Sequence, residues 1–220
     1  MRRWSGIAGI VFVVFAVVSR LVRGSVPDPE KRDALAKFTK YYAHSSHTKA
    51  AVAAVVIGFV ALFAFAWFIG GVWSRLRTAQ AATTIPLIIV AIGSGAFVAL
   101  GMAEHVLSDV VGVTLNFSTG YTLHKGFDAA TALVLNEAGR AAFLGAMLAV
   151  GAATAATGIV ILATRVLPVW LAWVGFAIAV LCLPAIPPLT FVAAILLAIW
   201  TLVISGLMVR ADPSEVPTAA

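Results

Sequence analysis

The chain has 220 residues, of which 62% are hydrophobic and 11% charged, with 15 Lys and Arg against 9 Asp and Glu. Globular domains average about 45–50% apolar and about 25% charged, so the composition excludes a disordered chain, a solvated nucleic-acid-binding module and a disulfide scaffold. The formal net charge of +6 lies between apolar runs, which is the pattern of membrane-protein loops, and the single cysteine, Cys182, has no partner for an internal bridge.

A helix needs about 20 apolar residues to cross a bilayer. The first such run starts at Trp4 and reaches Val22, because Arg20 can extend its head to the interface. Arg2 and Arg3 before it resemble the start of a secretory signal. The run ends in Ser-Arg-Leu-Val-Arg without a small-x-small cleavage site, so it reads as a retained signal anchor. Further uncharged runs predict spans at 50–73, 83–103 and 141–164. Val166–Val209 carries no charge and is too long for one crossing. Pro184, Pro187 and Pro188 divide it into spans at 166–183 and 189–209. The expectation is one all-α transmembrane domain over 1–220, a bundle of six helices.

The connection after the first span predicts an amphipathic helix over 29–43. Pro29 opens it, and Ala34, Leu35, Phe38, Tyr41 and Tyr42 recur at helical spacing beside Lys31, Arg32, Lys37 and Lys40. A basic amphipathic helix suits an anionic lipid surface, with Lys31, Arg32, Lys37, Lys40 and Phe38 as contacts. The same apolar face also suits packing on the chain's own bundle. In the third connection, Glu104–Arg140, Val106 to Val113 extend the apolar character of the preceding span. Ala129–Leu135 reads as helical again, either leading into the next span or forming a short inserted segment.

Several stretches carry a family likeness: Lys40-Tyr41-Tyr42-Ala43-His44, Trp67-Phe68-Ile69-Gly70 with Trp73-Ser74-Arg75-Leu76-Arg77, Arg165 to Trp173, Ile199-Trp200-Thr201-Leu202 and Met208-Val209-Arg210. Together they resemble a bacterial, largely actinobacterial, family of six-helix integral membrane proteins catalogued as a domain of unknown function. Val169 stands where that family has a second basic residue. The resemblance implies six helices with both termini in the cytoplasm and implies no activity. Basic residues counted by side favour the opposite orientation, nine on the long-loop side against six on the side of the termini. Arg75, Arg77 and Arg165 lie in short connections, which anchor orientation strongly, and the adopted reading is a multi-pass plasma-membrane protein with cytoplasmic termini.

No Asp, Glu, Lys, Arg or His lies inside the six uncharged cores, which disfavours a proton relay or ion-coupled transport. Ser94, Thr154 and Thr157 serve interhelical hydrogen bonds or line an uncharged path. Gly145, Ala149, Ala153 and Thr157 recur every four residues, a stripe for close helix packing or for a homo-oligomer seam. Gly93, Gly95 and Gly101 lie within a span and read as packing rather than as a nucleotide loop.

All four histidines fall on one face of the predicted membrane. His44 and His47 are spaced i, i+3, and His105 and Asp109 are spaced i, i+4. Antiparallel spans bring His47 and His105 to the same face. The expectation is a polar cluster of His47, Glu104 and His105, with Asp109, Arg140 or His44 beside it. It would act either as a hydrogen-bonded cap or as a divalent-metal site, the latter being the one cofactor the chain suggests. The spacing matches no catalytic motif, so catalytic residues are none. The leading class is a non-enzymatic structural or regulatory membrane component, with the lipid bilayer and a membrane-protein partner or second copy as partners and no nucleic acid. The alternatives are a transporter or lipid-binding protein with an uncharged cavity, and a metal or haem protein using the histidine-bearing face.

Overall fold

The computed structural model describes residues 2–24, 26, 33–77, 84–117, 129–183 and 186–210. These residues are almost entirely helical, with no strand among them. The helices are α1 (Arg2–Arg23), α2 (Ala34–Tyr42), α3 (Ser45–Arg77), α4 (Thr84–Phe117), α5 (Ala129–Thr164), α6 (Trp170–Cys182) and α7 (Pro187–Arg210). Five of them, α1, α3, α4, α5 and α7, are long and apolar enough to cross a membrane. In the stretch 166–183, where the sequence predicts a span, the structure has α6, an apolar helix of 13 residues that is shorter than those five. Where the sequence predicts an amphipathic helix over 29–43, the structure has the nine-residue α2, and 29–32 lie outside the described residues.

α3, α4 and α5 have 33, 34 and 36 residues. At about 1.5 Å per residue each reaches roughly 50 Å, well beyond a hydrocarbon core of about 30 Å. α4 therefore continues past 103 through Glu104 and Asp109, and α5 starts at Ala129, so that 129–135 leads into the expected span at 141–164. The charges in these extensions do not end the helices because they are paired. Glu104 and Asp109 meet Arg23, and Glu137 meets Arg140 one turn along α5. Local chemistry sets the ends instead. Gly24 follows α1 at φ 67°, and its N–H donates to Arg20 O at 3.2 Å, the left-handed stop that glycine adopts without a Cβ penalty. Arg165 ends α5 at φ 53°, its N–H donating to Ile161 O at 2.7 Å, and Pro168 then keeps the chain from resuming a helix at once.

The residues group into two compact units. One comprises Met1–Val13, Phe63–Ala96 and Met147–Ala220. Its interior holds Phe12 against Phe65 at 4.8 Å between ring centres, and Phe65 beside Phe68. Small residues bring its helices close. A Cβ on Gly93 would lie 2.6 Å from Ala149 O and 3.1 Å from the Ala153 side chain, so α4 rests directly on α5. A Cβ on Gly175 would lie 2.7 Å from Thr154 O, so α6 lies as close on another face of α5. Thr154 Oγ1 donates across that seam to Gly175 O at 3.2 Å. The Trp200 indole N–H donates to Leu171 O at 3.0 Å and ties α7 to α6.

The other unit comprises Val14–Leu62 and Phe97–Ala146. Ser19 Oγ donates to Ala54 O at 2.8 Å and joins α1 to α3. Gly112 of α4 faces Ala51 of α3, where a Cβ would come within 2.6 Å, and Gly139 of α5 admits the Ser108 side chain of α4. Phe38 and Tyr42 of α2 bury their rings with Val111 of α4 and Ala132 of α5. The apolar face of α2 is thus satisfied by protein.

Candidate functional site

Within the second unit the last turn of α1 carries two arginines, Arg20 and Arg23. Three residues apart, they project toward one side of the helix. Arg23 is 8% exposed and is met by both acidic side chains of the α4 extension. Its Nη1 donates to Glu104 Oε1 at 2.9 Å, and its Nε lies 3.0 Å from Asp109 Oδ1. The second pair is close in distance but misaligned, because the Nε–H finds no acceptor along its axis. Glu104 also has Arg20 at 3.8 Å and His105 Nδ1 at 3.5 Å. Asp109 Oδ2 and His105 Nδ1 are buried without a hydrogen-bond partner. His105 fits only because Gly58 of α3 has no side chain; a Cβ there would run into the imidazole.

α2 closes over this cluster. The Tyr41 hydroxyl donates to Arg23 O at 3.2 Å. Burial raises the Tyr41 and Tyr42 phenols above their ordinary value; the Asp109 carboxylate adds to this and the Arg23 guanidinium opposes it. His47 stacks on Tyr41 with ring centres 4.0 Å apart and planes 8° from parallel. His47 Nδ1 lies 2.7 Å from Tyr41 O, and His44 Nδ1 lies 3.0 Å from Lys40 O. A carbonyl oxygen can only accept, so both Nδ1 atoms carry the proton. In each neutral ring the lone pair then sits on Nε2.

The expected polar cluster is therefore divided. Glu104, His105 and Asp109 assemble around Arg23, while His44 and His47 form a separate pair at the α2–α3 corner, with ring centres 5.6 Å apart. No group of three or more His, Cys, Asp or Glu among the described residues is arranged to hold a metal. Arg23 meets one oxygen of each carboxylate, Glu104 Oε1 and Asp109 Oδ1. Arg140 pairs with Glu137 at 3.3 Å. His124 lies outside the described residues.

Of the residues expected to contact lipid, Lys37 and Lys40 are exposed, and Lys37 pairs with Asp33 at 2.7 Å. Phe38 is fully buried, so its ring faces the protein interior and not lipid. Lys31 and Arg32 lie outside the described residues. In the small-residue stripe, Gly145 faces Leu100 of α4, Ala149 and Ala153 face Gly93 of α4, and Thr157 Oγ1 donates to Ala153 O at 2.8 Å. A second seam toward α6, made of Gly151, Thr154 and Gly158, accompanies it.

Sequence reasoning missed Arg23 and Tyr41 as members of the site. Arg23 left one usable signal. It ends a span on the face where Glu104 and Asp109 continue another, and a buried acidic pair needs a cation. No family model matches the chain, and neither a curated protein nor a solved structure matches it.

Proposed function

We propose that the chain is a six-span integral membrane protein of the bacterial plasma membrane that serves as a non-enzymatic structural or regulatory component. The observation that carries this reading is the engagement of the charged groups of the α1 and α4 ends with one another. Arg23 is spent on Glu104 and Asp109, and Tyr41 on the end of α1, so these groups fix helix positions. Membrane placement is supported by the five long apolar helices and by Trp4, Trp67, Trp170 and Trp173, whose exposed indoles suit the interface. α6 supplies the sixth crossing. Its 13 residues reach about 20 Å as a helix, and the apolar residues 166–169 before it add to that reach. The stretches that resemble the six-helix family, Arg165 to Trp173 and Met208 to Arg210, lie at helix ends.

Cytoplasmic termini accord with Arg75, Arg77 and Arg165 at the ends of short connections. α2 is then an interfacial helix that docks its apolar face on the protein and leaves Lys37 and Lys40 for anionic headgroups. Purification in mild detergent, with mass spectrometry of what accompanies the chain, tests the function. A membrane protein recovered at fixed stoichiometry supports it. Solute flux across liposomes containing this chain alone refutes it.

Such flux would instead support a transporter with an uncharged cavity. Ser94 Oγ, Thr201 Oγ1 and Ser205 Oγ, buried without partners in the first unit, favour that second reading. Replacing each by alanine should then reduce the flux.

A further inference from the structure

We propose that His44 and His47 form a two-imidazole binding site for a divalent transition-metal ion, of the class of copper(II), nickel(II) or zinc, at the corner between α2 and α3. Four observations carry it. The Nδ1 positions of both rings are held by backbone carbonyls, at 3.0 and 2.7 Å, so both Nε2 lone pairs are left for a ligand. This is the arrangement in which metal-binding histidines are held, one nitrogen on a carbonyl and the other on the ion.

The ring centres are 5.6 Å apart with planes tilted by 49°. Two imidazoles sharing one ion at about 2.0–2.1 Å place their ring centres roughly 4.5–5.5 Å apart, over angles from square-planar to trigonal. The 5.6 Å between the ring centres of His44 and His47 lies close to that range.

The site is also accessible and partly rigid. His44 is exposed and His47 half-buried, so an ion can reach both. His47 is held by its stack on Tyr41, whose hydroxyl is anchored on Arg23 O, so half of the site is set before binding. Imidazole nitrogens suit copper, nickel and zinc rather than calcium or magnesium, which take oxygen ligands. Water would complete the coordination. Glu104 and Asp109 are not counted as ligands; one oxygen of each faces Arg23.

Copper(II), nickel(II) and zinc are titrated into the purified full chain in detergent, followed by calorimetry, with electron paramagnetic resonance for copper. The expected result is one ion per chain, with nitrogen coupling from two imidazoles in the copper spectrum. His44→Ala should weaken binding at least tenfold. This side chain is exposed, so the fold is retained, as far-UV circular dichroism will verify. His47→Gln should weaken binding to the same degree, and His105→Ala should leave it unchanged. Binding that persists in a His44→Ala/His47→Gln double variant overturns the proposal. So does the absence of stoichiometric binding by the unmodified chain, or loss of the ion on His105→Ala with retention on His44→Ala.

Discussion

Replacing Arg23 by glutamine keeps the side chain polar and removes its charge from between two carboxylates. The structure sets the size of the effect. Arg23 is 8% exposed, and its side-chain nitrogens lie 2.9 and 3.0 Å from Glu104 and Asp109, whose side chains are 10% and 2% exposed. Breaking a buried ion pair by removing one partner costs about 3–5 kcal/mol, because the remaining charge is left desolvated. An exposed pair is worth about 0–1 kcal/mol, and Lys37 with Asp33, at 48% and 57% exposure, is the internal control. Reversible unfolding in mixed micelles, followed by circular dichroism, should show Arg23→Gln destabilising by several times the Lys37→Gln change. Arg23→Met combined with Glu104→Gln and Asp109→Asn should recover most of the loss, since the penalty lies in the orphaned carboxylates and the three changes are coupled. If Arg23→Gln costs no more than Lys37→Gln, the cluster is solvated and the reasoning fails.

Three further outcomes follow from the same structure. Gly175→Ala should destabilise by about 1–3 kcal/mol, because the new Cβ would meet a backbone carbonyl of α5 that cannot yield, whereas Gly95→Ala, with open space around it, should be neutral or stabilising by up to about 1 kcal/mol in the same unfolding assay. Ultraviolet titration should show that two of the three tyrosines, Tyr41 and Tyr42, ionise above the ordinary phenol value of 10.0, and simultaneous ionisation of all three near that value would contradict their burial. Above that value the folded chain keeps protons that the unfolded chain has lost, so stability falls as pH rises, and Tyr42→Phe should reduce that fall. Arg165→Gly should stabilise by about 1 kcal/mol in thermal unfolding, because it removes a Cβ from a left-handed backbone position.

The apolar runs by themselves determine the class of this protein. Uncharged segments near 50–73, 83–103 and 141–164 can only be helices if they are to satisfy their own backbone in an apolar medium, and they become α3, α4 and α5. The small residues of α5 likewise announce close packing, although their spacing shows only that some helix must approach. Gly93 of α4 and Gly175 of α6 decide which helix meets which face. Helix lengths were legible only in part. Charge at Glu104 and Asp109 reads as the end of a span, and only their pairing with Arg23, 81 positions from Glu104, lets α4 run on to Phe117. The division of the histidines also escapes the sequence. Spacing predicts that His47 and His105 reach one face of the bundle, but two tertiary ion pairs draw Glu104 and Asp109 to Arg23, while His44 and His47 rest on the backbone of α2. Apolar length acts along the chain and can be counted, whereas the choice among several polar partners depends on which of them the packed helices bring within about 3 Å.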